Sequence, residues 1–338
     1  MLVVLVSLIV VGGCASEPGP DADSGLQEVT FNMAWLPQGS MSGVLVAIEQ
    51  GLYRDAGLDV SAVRGFGGIR TVNEVDQGMF EFGYGDPLAV ILNRSQGGTA
   101  KMVGAINQAW PAALCYVEGR HAIESPADLR GLTIGGGRSS PMQVLLPMWL
   151  GLNDVAAEDV TVMQLDPAVV IASLLEGQID AGECWRANSI PLFEKRAQEA
   201  NVEIGWIEYG AFGLDIYGSG LVTSEALIDE NPDMVRGFVH ATYQGYAFVL
   251  DNPAEATRIV LEKFPVLDPE VTRQQIDELT SLLIGTGGTG GTGGTGGTDT
   301  LGWLEEDKVA RTLELVSEAY ELDGSLSSPE LYTTDFLP

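Results

Sequence analysis

The fold is decided by the stretch from residue 29 to residue 64, in which three segments follow one another. VTFNMAWL (29–36) predicts a strand, SGVLVAIEQGLYRDAG (42–57) predicts a helix that ends at a glycine, and LDVSAVR (58–64) predicts a second strand. A helical period between two apolar runs is typical of a β-α-β unit, which builds parallel sheets covered by helices. The stretch therefore predicts an α/β protein.

The same alternation continues along the chain in two sets, followed by helices. The first set goes on as IRTVNEVDQGMF (69–80), FEFGYG (80–85), a helix from Pro87 and KMVGAIN (101–107). The second set comprises ALCYVEG (113–119), LTIGG (132–136), DVTVMQL (159–165) and IDAGECW (179–185), with helices after Pro141 and Pro167. Helical periods then cover about 231–263, 269–284 and 304–320. The pattern predicts two α/β lobes with a helical C-terminal portion. The length of the chain, 338 residues, also favours two lobes, because it exceeds the size of about 250–300 residues at which single cores stop growing.

The first fourteen residues predict export. MLVVLVSLIVVGGC is apolar but shorter than the ~20 residues that a membrane-spanning helix needs, and it has the small residues that precede a signal-peptide cleavage site. Gly12-Gly13-Cys14 resembles the lipobox of bacterial lipoproteins, in which the cysteine carries a lipid. Residues 1–13 are therefore predicted to be a signal peptide, Cys14 the lipidation site, and residues 14–26 a Pro/Gly-rich leash that holds the protein outside the cytoplasm.

The charge of the chain excludes one class of partner. Its 47 acidic and 17 basic residues give a net charge of −30, which repels nucleic acid and anionic lipid headgroups. We expect a monomer that binds no nucleic acid and contacts the membrane only through its N-terminal lipid.

Cysteine and histidine usage indicates no metal site and no cofactor. If Cys14 is lipidated, Cys115 and Cys184 remain, and we expect two buried free thiols, although the spacing alone leaves a disulfide open. No CxxC pair exists, and His121 and His240 lie far apart in the sequence. The chain also has no GxSxG, GxGxxG or phosphate-loop motif, so catalysis finds little support.

Three helix starts share one arrangement, in which an Asp or Ser precedes a proline after a strand: Asp86-Pro87, Ser140-Pro141 and Asp166-Pro167. The side-chain oxygen caps the helix and the proline occupies its first turn. Ordinary capping is the favoured interpretation for both Asp residues. Arg138, Ser139 and Ser140 lie in a Gly-rich turn at a helix start, which can also hold an anion or a carbonyl-bearing ring.

Four aromatic residues are predicted at the ends of strands or at the crossing between the lobes: Trp35, Phe66, Trp110 and Trp185. Any one of them is explained by packing at the rim of a core, but four at one edge of a sheet favour a stacking pocket for a flat ligand. A different segment, GTGGTGGTGGTGGT (285–298), is predicted to be a surface loop without a function, because it has nothing to bury and loop closure costs little extra with length.

Several motifs together resemble the solute-binding proteins of ABC importers in the thiamine-pyrimidine, alkanesulfonate and nitrate group. They are WLPQGSMSGVLVAIEQGLYRDAGLDV (35–60), ESPADLRGLTIG (124–135), SLLEGQIDAGECW (173–185) and ENPDMVRGFVHATYQGYAFVLDNPAEA (230–256). The resemblance implies the two-lobed type II periplasmic-binding fold, each lobe a mostly parallel sheet flanked by helices. It assigns residues 27–109 and 226–338 to lobe 1 and residues 110–225 to lobe 2.

The resemblance implies a function as well as a fold. The protein would capture a small flat nitrogenous solute, a thiamine-type pyrimidine precursor, and deliver it to a permease and an ATPase. The predicted ligand-binding residues are Trp35, Gln38, Ser40, Phe66, Asp86, Trp110, Arg138, Ser139, Ser140, Glu183, Trp185 and Asn188.

Three alternatives stay open at this point. A receptor for taurine, another aliphatic sulfonate or nitrate would depend on Arg138, whereas a ring-binding receptor would depend on Trp35 and Trp185. A ligand sensor would dock to a membrane receptor instead of a permease. An enzyme like the related eukaryotic pyrimidine synthase is disfavoured, because that protein uses a cysteine-rich run where this chain has a lone Cys184.

Overall fold

The computed structural model describes residues 25–137, 140–284 and 301–338. Within these residues the strands are β1 (Gln27–Asn32), β2 (Leu58–Val63), β3 (Phe82–Gly85), β4 (Ala100–Ala105), β5 (Ala112–Val117), β6 (Thr133–Gly137), β7 (Thr161–Leu165), β8 (Ala181–Trp185), β9 (Ile204–Glu208) and β10 (Gly220–Ser224). The helices are α1 (Ser42–Glu49), α2 (Leu52–Asp55), α3 (Gly68–Asp76), α4 (Pro87–Ser95), α5 (Met142–Leu152), α6 (Val170–Glu176), α7 (Ser189–Glu199), α8 (Glu225–Glu230), α9 (Pro232–Asp251), α10 (Pro253–Lys263), α11 (Pro269–Ile284), α12 (Glu306–Ala319) and α13 (Ser328–Leu331).

The strands form two sheets that follow the same plan, and each sheet is the centre of one lobe. The first has the order β2-β1-β3-β10-β4 and the second has the order β7-β6-β8-β5-β9. In each sheet four strands run in the same direction, and the fifth, β10 or β5, runs antiparallel to both of its neighbours. The predicted α/β architecture with two mostly parallel sheets is thereby confirmed.

The chain crosses between the lobes twice, after β4 and before β10, and the two crossing segments are hydrogen-bonded to each other. The amide of Asn107 donates to the carbonyl of Ser219 (2.9 Å), and the amide of Trp110 donates to the carbonyl of Ile216 (2.8 Å). Because β10 pairs with β3 and β4, the chain is back in the first sheet at Gly220. The boundary between lobe 2 and the second part of lobe 1, which was predicted between residues 225 and 226, therefore lies after β10, although β10 belongs to the sheet of lobe 1.

The core of lobe 1 is built on stacked aromatic rings. Phe238 of α9 stacks on Phe82 with ring centroids 3.9 Å apart and on Phe31 at 5.7 Å. In lobe 2, the fully buried Trp149 of α5 packs on Tyr209 with centroids 4.3 Å apart and donates its indole N–H to the Tyr209 carbonyl (3.0 Å). These rings bury large apolar areas on the faces where helices cover the sheets.

Cys115 and Cys184 form a disulfide, so the expectation of two free thiols is wrong. They lie on β5 and β8, which are antiparallel neighbours, with Cα atoms 5.9 Å apart. In this pairing Cys115 lies opposite Gly182, so Cys184 is its diagonal neighbour on the same face of the sheet. The pairing between β5 and β8, which sequence spacing does not reveal, brings the cysteines within bonding range.

Three predicted elements differ from the structure for local reasons. The helix predicted over 42–57 is two helices, α1 and α2, because the backbone between them turns at Gly51 with a positive φ of 75°. Strand β1 ends at Asn32, before Trp35, because the backbone turns at Ala34 with a positive φ of 59°. The helical period 231–263 is two helices, α9 and α10, because Pro253 lacks an amide hydrogen and ends the first of them.

Some of the predictions fall on residues that the structure does not describe. Cys14, Arg138, Ser139 and the repeat 285–298 lie outside the described residues. Within residues 25–137, 140–284 and 301–338, no helix combines the length and the apolar character that crossing a bilayer requires.

Candidate functional site

A cleft of about 160 Å³ opens where strand ends of both sheets meet the two crossing segments. Seven of the predicted ligand-binding residues line it, namely Trp35, Gln38, Ser40, Asp86, Trp110, Trp185 and Asn188. In α/β folds ligands bind at such strand ends, because the adjoining loops are free to vary while the sheet holds them in place. The cleft is therefore the candidate ligand site.

The loop that carries Trp35 is held by the side chain of Asn32, the last residue of β1. Asn32 Oδ1 accepts hydrogen bonds from the Ala34 amide (2.9 Å) and from the hydroxyl of Thr71 (3.0 Å). Gly65 packs against this amide so closely that a Cβ atom there would lie 2.3 Å from Asn32 Oδ1. The Trp35 ring itself is 40% exposed, so it lies at the mouth of the cleft on a fixed loop.

The next turn of lobe 1 brings Gln38 and Ser40 to the cleft and ties them to the other lobe. The amide of Gln38 donates to the hydroxyl of Ser40 (2.9 Å). Between them, the backbone amide of Gly39 donates to Oε1 of Gln275 in α11 (2.9 Å). Nε2 of Gln275 in turn donates to the carbonyl of Asn188 in lobe 2 (2.8 Å). One buried amide thus connects both sides of the cleft.

Asp86 has two roles at the end of β3. One carboxylate oxygen caps α4 by accepting the amide hydrogen of Ala89 (2.8 Å), as predicted from Asp86-Pro87. The carboxyl group also lines the cleft. Burial raises the pKa of Asp86, and the hydrogen bond from Ala89 only partly opposes this. The carboxyl group of Asp86 is therefore a hydrogen-bond acceptor whose negative charge is unfavourable where water is excluded.

Lobe 2 contributes an aromatic wall. The Trp110 and Trp185 rings meet edge to face with centroids 5.5 Å apart and an interplanar angle of 89°, and Trp110 packs in the same way on Tyr209 at 5.6 Å. Trp110 is 3% exposed and fixes the more open Trp185 from behind. Trp185 and Trp35 therefore border one cleft from opposite lobes, whereas Trp110 forms part of its base.

Glu183 and Ser140 are not part of the cleft lining, although both were predicted to bind the ligand. The buried carboxylate of Glu183 accepts hydrogen bonds from the Gly137 amide and from the Trp185 indole (both 2.9 Å) and one from the Ser140 hydroxyl. Both carboxylate oxygens of Glu183 are thus engaged by neighbouring groups of the protein. Glu183 thus positions the Trp185 ring and the turn before α5.

Phe66 also lies outside the cleft lining. Its ring is 57% exposed, and the guanidinium groups of Arg64 and Arg70 lie 4.6 and 4.9 Å from the ring centroid. Gly65 and Gly67 pair with the backbone of the Trp35 loop, so Phe66 is close along the chain but its side chain points to the surface. Among the four predicted aromatic residues, three meet at the cleft and Phe66 does not.

Sequence reasoning missed eleven cleft residues, and five of them have polar or charged side chains: Tyr84, Asn107, Arg186, Ser219 and Tyr246. The hydroxyls of Tyr84 and Tyr246 share a 2.6 Å hydrogen bond, and burial raises the pKa of both, which keeps them neutral. Tyr84 and Arg186 adjoin motifs that were recognised, and only their position at strand ends could have indicated them. Asn107 ends the recognised run 101–107 and Tyr246 lies in the recognised motif 230–256, but only tertiary contacts show that either of them reaches the cleft.

Two charged side chains line the described part of the cleft, and one of them is already paired. Arg186 donates to Glu278 (3.0 Å) and to the hydroxyl of Ser281 (2.8 Å), both in α11. The other is Asp86. Among the described residues no group of three or more His, Cys, Asp or Glu side chains is arranged to hold a metal ion. The cleft combines aromatic faces, hydroxyls, an amide and a carboxyl group, which suits a small ring with polar edges.

The comparisons with known proteins identify the family. The profile of the family described as NMT1/THI5 like matches residues 38–256, which is more than half of the chain. The chain belongs to the NMT1/THI5-like family. The prediction of the group from sequence motifs is thereby confirmed.

Relatives and solved structures agree with this assignment. The chain is 28% identical over 328 residues to the riboflavin-binding protein RibY of Chloroflexus aurantiacus, covering 95% of this chain and 89% of that protein. It is 23% identical over 281 residues to the formylaminopyrimidine-binding protein of Halalkalibacterium halodurans, covering 83% of each chain. The periplasmic aliphatic sulphonate binding protein SsuA of Escherichia coli has a similar fold, with a TM-score of 0.69, 16% identity and coverage of 90% of this chain and 96% of that one. The predicted two-lobed periplasmic-binding fold is confirmed.

Proposed function

We propose that the protein is an extracytoplasmic solute receptor of an ABC importer and that it captures a flat nitrogenous ring of the thiamine-pyrimidine type between its two lobes. The observation that carries the proposal is the position of Trp35 and Trp185, which border one cleft from opposite lobes. Two aromatic side chains that border one cleft are suited to hold a flat ring, because stacked aromatic pairs are favourable beyond the area that they bury.

Charge supports a neutral ligand over an anion. In the described part of the cleft the guanidinium of Arg186 is engaged by Glu278 and Ser281, while the carboxyl group of Asp86 lines the same space. A sulfonate or nitrate would enter a protein of net charge −30 and would have to face this carboxyl group. The proposed pyrimidine needs no fixed cation.

The relatives support the same class of ligand. The two curated relatives are named for riboflavin and for a formylaminopyrimidine, and both names denote flat nitrogen heterocycles. The size of the cleft, about 160 Å³, lies below the range of about 300–1,000 Å³ for drug-sized ligands. A single ring therefore fits the described arrangement better than a fused three-ring system does.

The location of the receptor rests on its N-terminal sequence, and we infer that Cys14 carries a lipid anchor. Its delivery partners would be a permease and an ATPase, and the described cleft needs no second copy of the chain. Replacing Cys14 by serine should move the folded protein from the membrane fraction to the soluble fraction. If Cys14→Ser stays with the membrane after a high-salt wash, the inferred anchor is wrong.

A thermal-shift screen tests the proposed ligand class. The purified protein would be heated with aminopyrimidines, flavins, aliphatic sulfonates and nitrate, each at several concentrations. A true ligand at 100 times its dissociation constant raises the free energy of unfolding by about 2.7 kcal/mol. We expect stabilisation by aminopyrimidines. Stabilisation by sulfonates or nitrate alone would overturn the proposal and would favour the anion-binding alternative.

A further inference from the structure

Asn107 lines the cleft at a place where the backbone is held by hydrogen bonds. Asn107 is on the first crossing segment, and its backbone donates to the Ser219 carbonyl (2.9 Å) and accepts from the Gly218 amide (3.1 Å) of the second crossing. The contact is close enough that a Cβ on Gly218 would lie 2.7 Å from Cβ of Asn107. The position of this side chain is therefore set by the junction of the two lobes.

The amide group of Asn107 lacks a partner that its burial calls for. The residue is 8% exposed, and Oδ1 accepts no hydrogen bond from the residues that the structure describes. Buried amide oxygens in proteins almost always accept a hydrogen bond, because water is no longer there to supply one. A missing partner beside a cleft points to a group that enters the cleft, and a ligand is such a group.

Several other polar groups of the cleft are engaged with one another. The Tyr84 and Tyr246 hydroxyls are hydrogen-bonded to each other, and the Ser40 hydroxyl accepts from Gln38. Among the described residues that line the cleft, Asn107 is the one whose buried side-chain oxygen has no hydrogen-bond partner. Asp86 adds a second acceptor on the side of β3.

The chemistry of a carboxamide defines what it can recognise. The Asn side chain places one acceptor beside one pair of donors, and this pattern matches a ring nitrogen next to an exocyclic amine. Proteins use the same two-bond pairing between Asn or Gln and the amine edge of adenine. An acceptor-only anion such as a sulfonate cannot supply the hydrogen that Oδ1 lacks.

We propose that Asn107 reads the edge of the ligand formed by a ring nitrogen and its adjacent amine, and that the site therefore selects aminopyrimidines over rings that lack the amine. The inference rests on the proposed function, since it names the feature by which the same cleft tells flat rings apart. The Trp35 and Trp185 faces accept any flat ring, and Asn107 supplies the discrimination at its edge.

The test compares two probes, 4-aminopyrimidine and pyrimidine, in titrations followed by NMR. The wild-type protein should bind 4-aminopyrimidine at least about tenfold more tightly, since a two-bond pair of this kind discriminates strongly. In Asn107→Leu, which keeps the size of the side chain, this preference should fall to about twofold or less. Asn107→Ser, a smaller replacement, guards against a folding defect, and thermal melts show that each variant is folded.

The outcomes separate this inference from the proposed function. If wild type binds both probes and Asn107→Leu and Asn107→Ser keep the tenfold preference, Asn107 has only a structural role and the inference is wrong. Weaker binding of both probes by the same factor in the variants has the same meaning. If wild type binds neither probe but binds a sulfonate, the proposed function itself fails and the inference fails with it.

Discussion

The position of the Trp185 ring depends on Glu183, which lies two residues earlier in β8. The carboxylate accepts from the Trp185 indole and from the Gly137 amide, so it joins the end of β8 to the end of β6. Because the indole N–H is engaged by Glu183, Trp185 does not offer this donor to a molecule in the cleft. This arrangement favours stacking as the way in which Trp185 contacts a ligand.

Asp86 makes the stability of lobe 1 depend on pH in a direction that can be worked out. Burial raises the pKa of Asp86 above its ordinary value of 3.8, so the folded state binds this proton more tightly than the unfolded state does. The cost of burying the charge is full above the raised pKa and disappears as the pH falls below it. Acidification should therefore stabilise wild type relative to a variant without this charge.

The matched variant is Asp86→Asn, because asparagine also caps helices well. Urea unfolding of both proteins at pH 7 and at pH 4.5 gives two differences in the free energy of unfolding. We expect the wild type to gain stability relative to Asp86→Asn as the pH is lowered. A relative loss of stability in wild type over the same interval would mean that the folded state favours the charged form of Asp86.

At the scale of single elements, the capping prediction succeeded because it needs only adjacent residues. Asp86 accepts from the Ala89 amide, and Asp166 accepts from the Ala168 amide (2.9 Å). Ser140 behaves differently, since its hydroxyl accepts from the Met142 amide (3.2 Å) and also donates to Glu183. The second contact joins elements far apart in the sequence, so sequence reasoning could not find it.

The difference between contacts of adjacent residues and contacts of distant elements also explains which other parts of the site could be predicted. Periods of two and of 3.6 residues predict strands and helices, and so the order of elements and the cleft at the strand ends followed from the sequence. The orientation of Phe66 away from the cleft depends on two arginines that flank it in space. Asn107 and Gln275 become part of the site only through packing of the lobes, which local patterns do not encode.

The disulfide between β5 and β8 should stabilise the folded protein. Closing a loop of 69 residues between Cys115 and Cys184 restricts the unfolded chain and should contribute about 4 kcal/mol to stability. The double variant Cys115→Ala/Cys184→Ala should lose about this amount in urea unfolding. Wild type treated with a reductant serves as the control that keeps the sulfur atoms. Equal stability in oxidised and reduced wild type would contradict the bond.

At the scale of the whole molecule, polar contacts across the cleft link lobe 2 to α11. Arg186 pairs with Glu278, Lys195 of α7 pairs with Asp268 just before α11, and Gln275 reaches the Asn188 carbonyl. Glu278 also combines with burial to raise the pKa of the neighbouring Glu194. These contacts hold the lobes close together around the cleft, and we expect them to favour the closed arrangement.

The variant Glu278→Ala tests this expectation, because Glu278 does not line the cleft. Its matched control is Glu199→Ala, which removes an ion pair with Arg196 inside α7 alone. Without ligand, Glu278→Ala should have a larger radius of gyration in small-angle X-ray scattering than wild type and the control. A loss of about 1 kcal/mol in the closed state should weaken ligand binding roughly fivefold. An unchanged radius of gyration would show that the ion pair does not hold the lobes together.

The central claim is that a flat ring is held between Trp35 and Trp185, and titration calorimetry on single variants tests it most directly. The ligand is the aminopyrimidine that stabilises wild type most, and Phe66→Ala is the control, since Phe66 is exposed but lies outside the cleft lining. Trp35→Ala and Trp185→Ala should each weaken binding by about tenfold or more, because each loses a stacking face and leaves a void. Phe66→Ala should bind as wild type does. Unchanged affinity in both tryptophan variants would contradict the account.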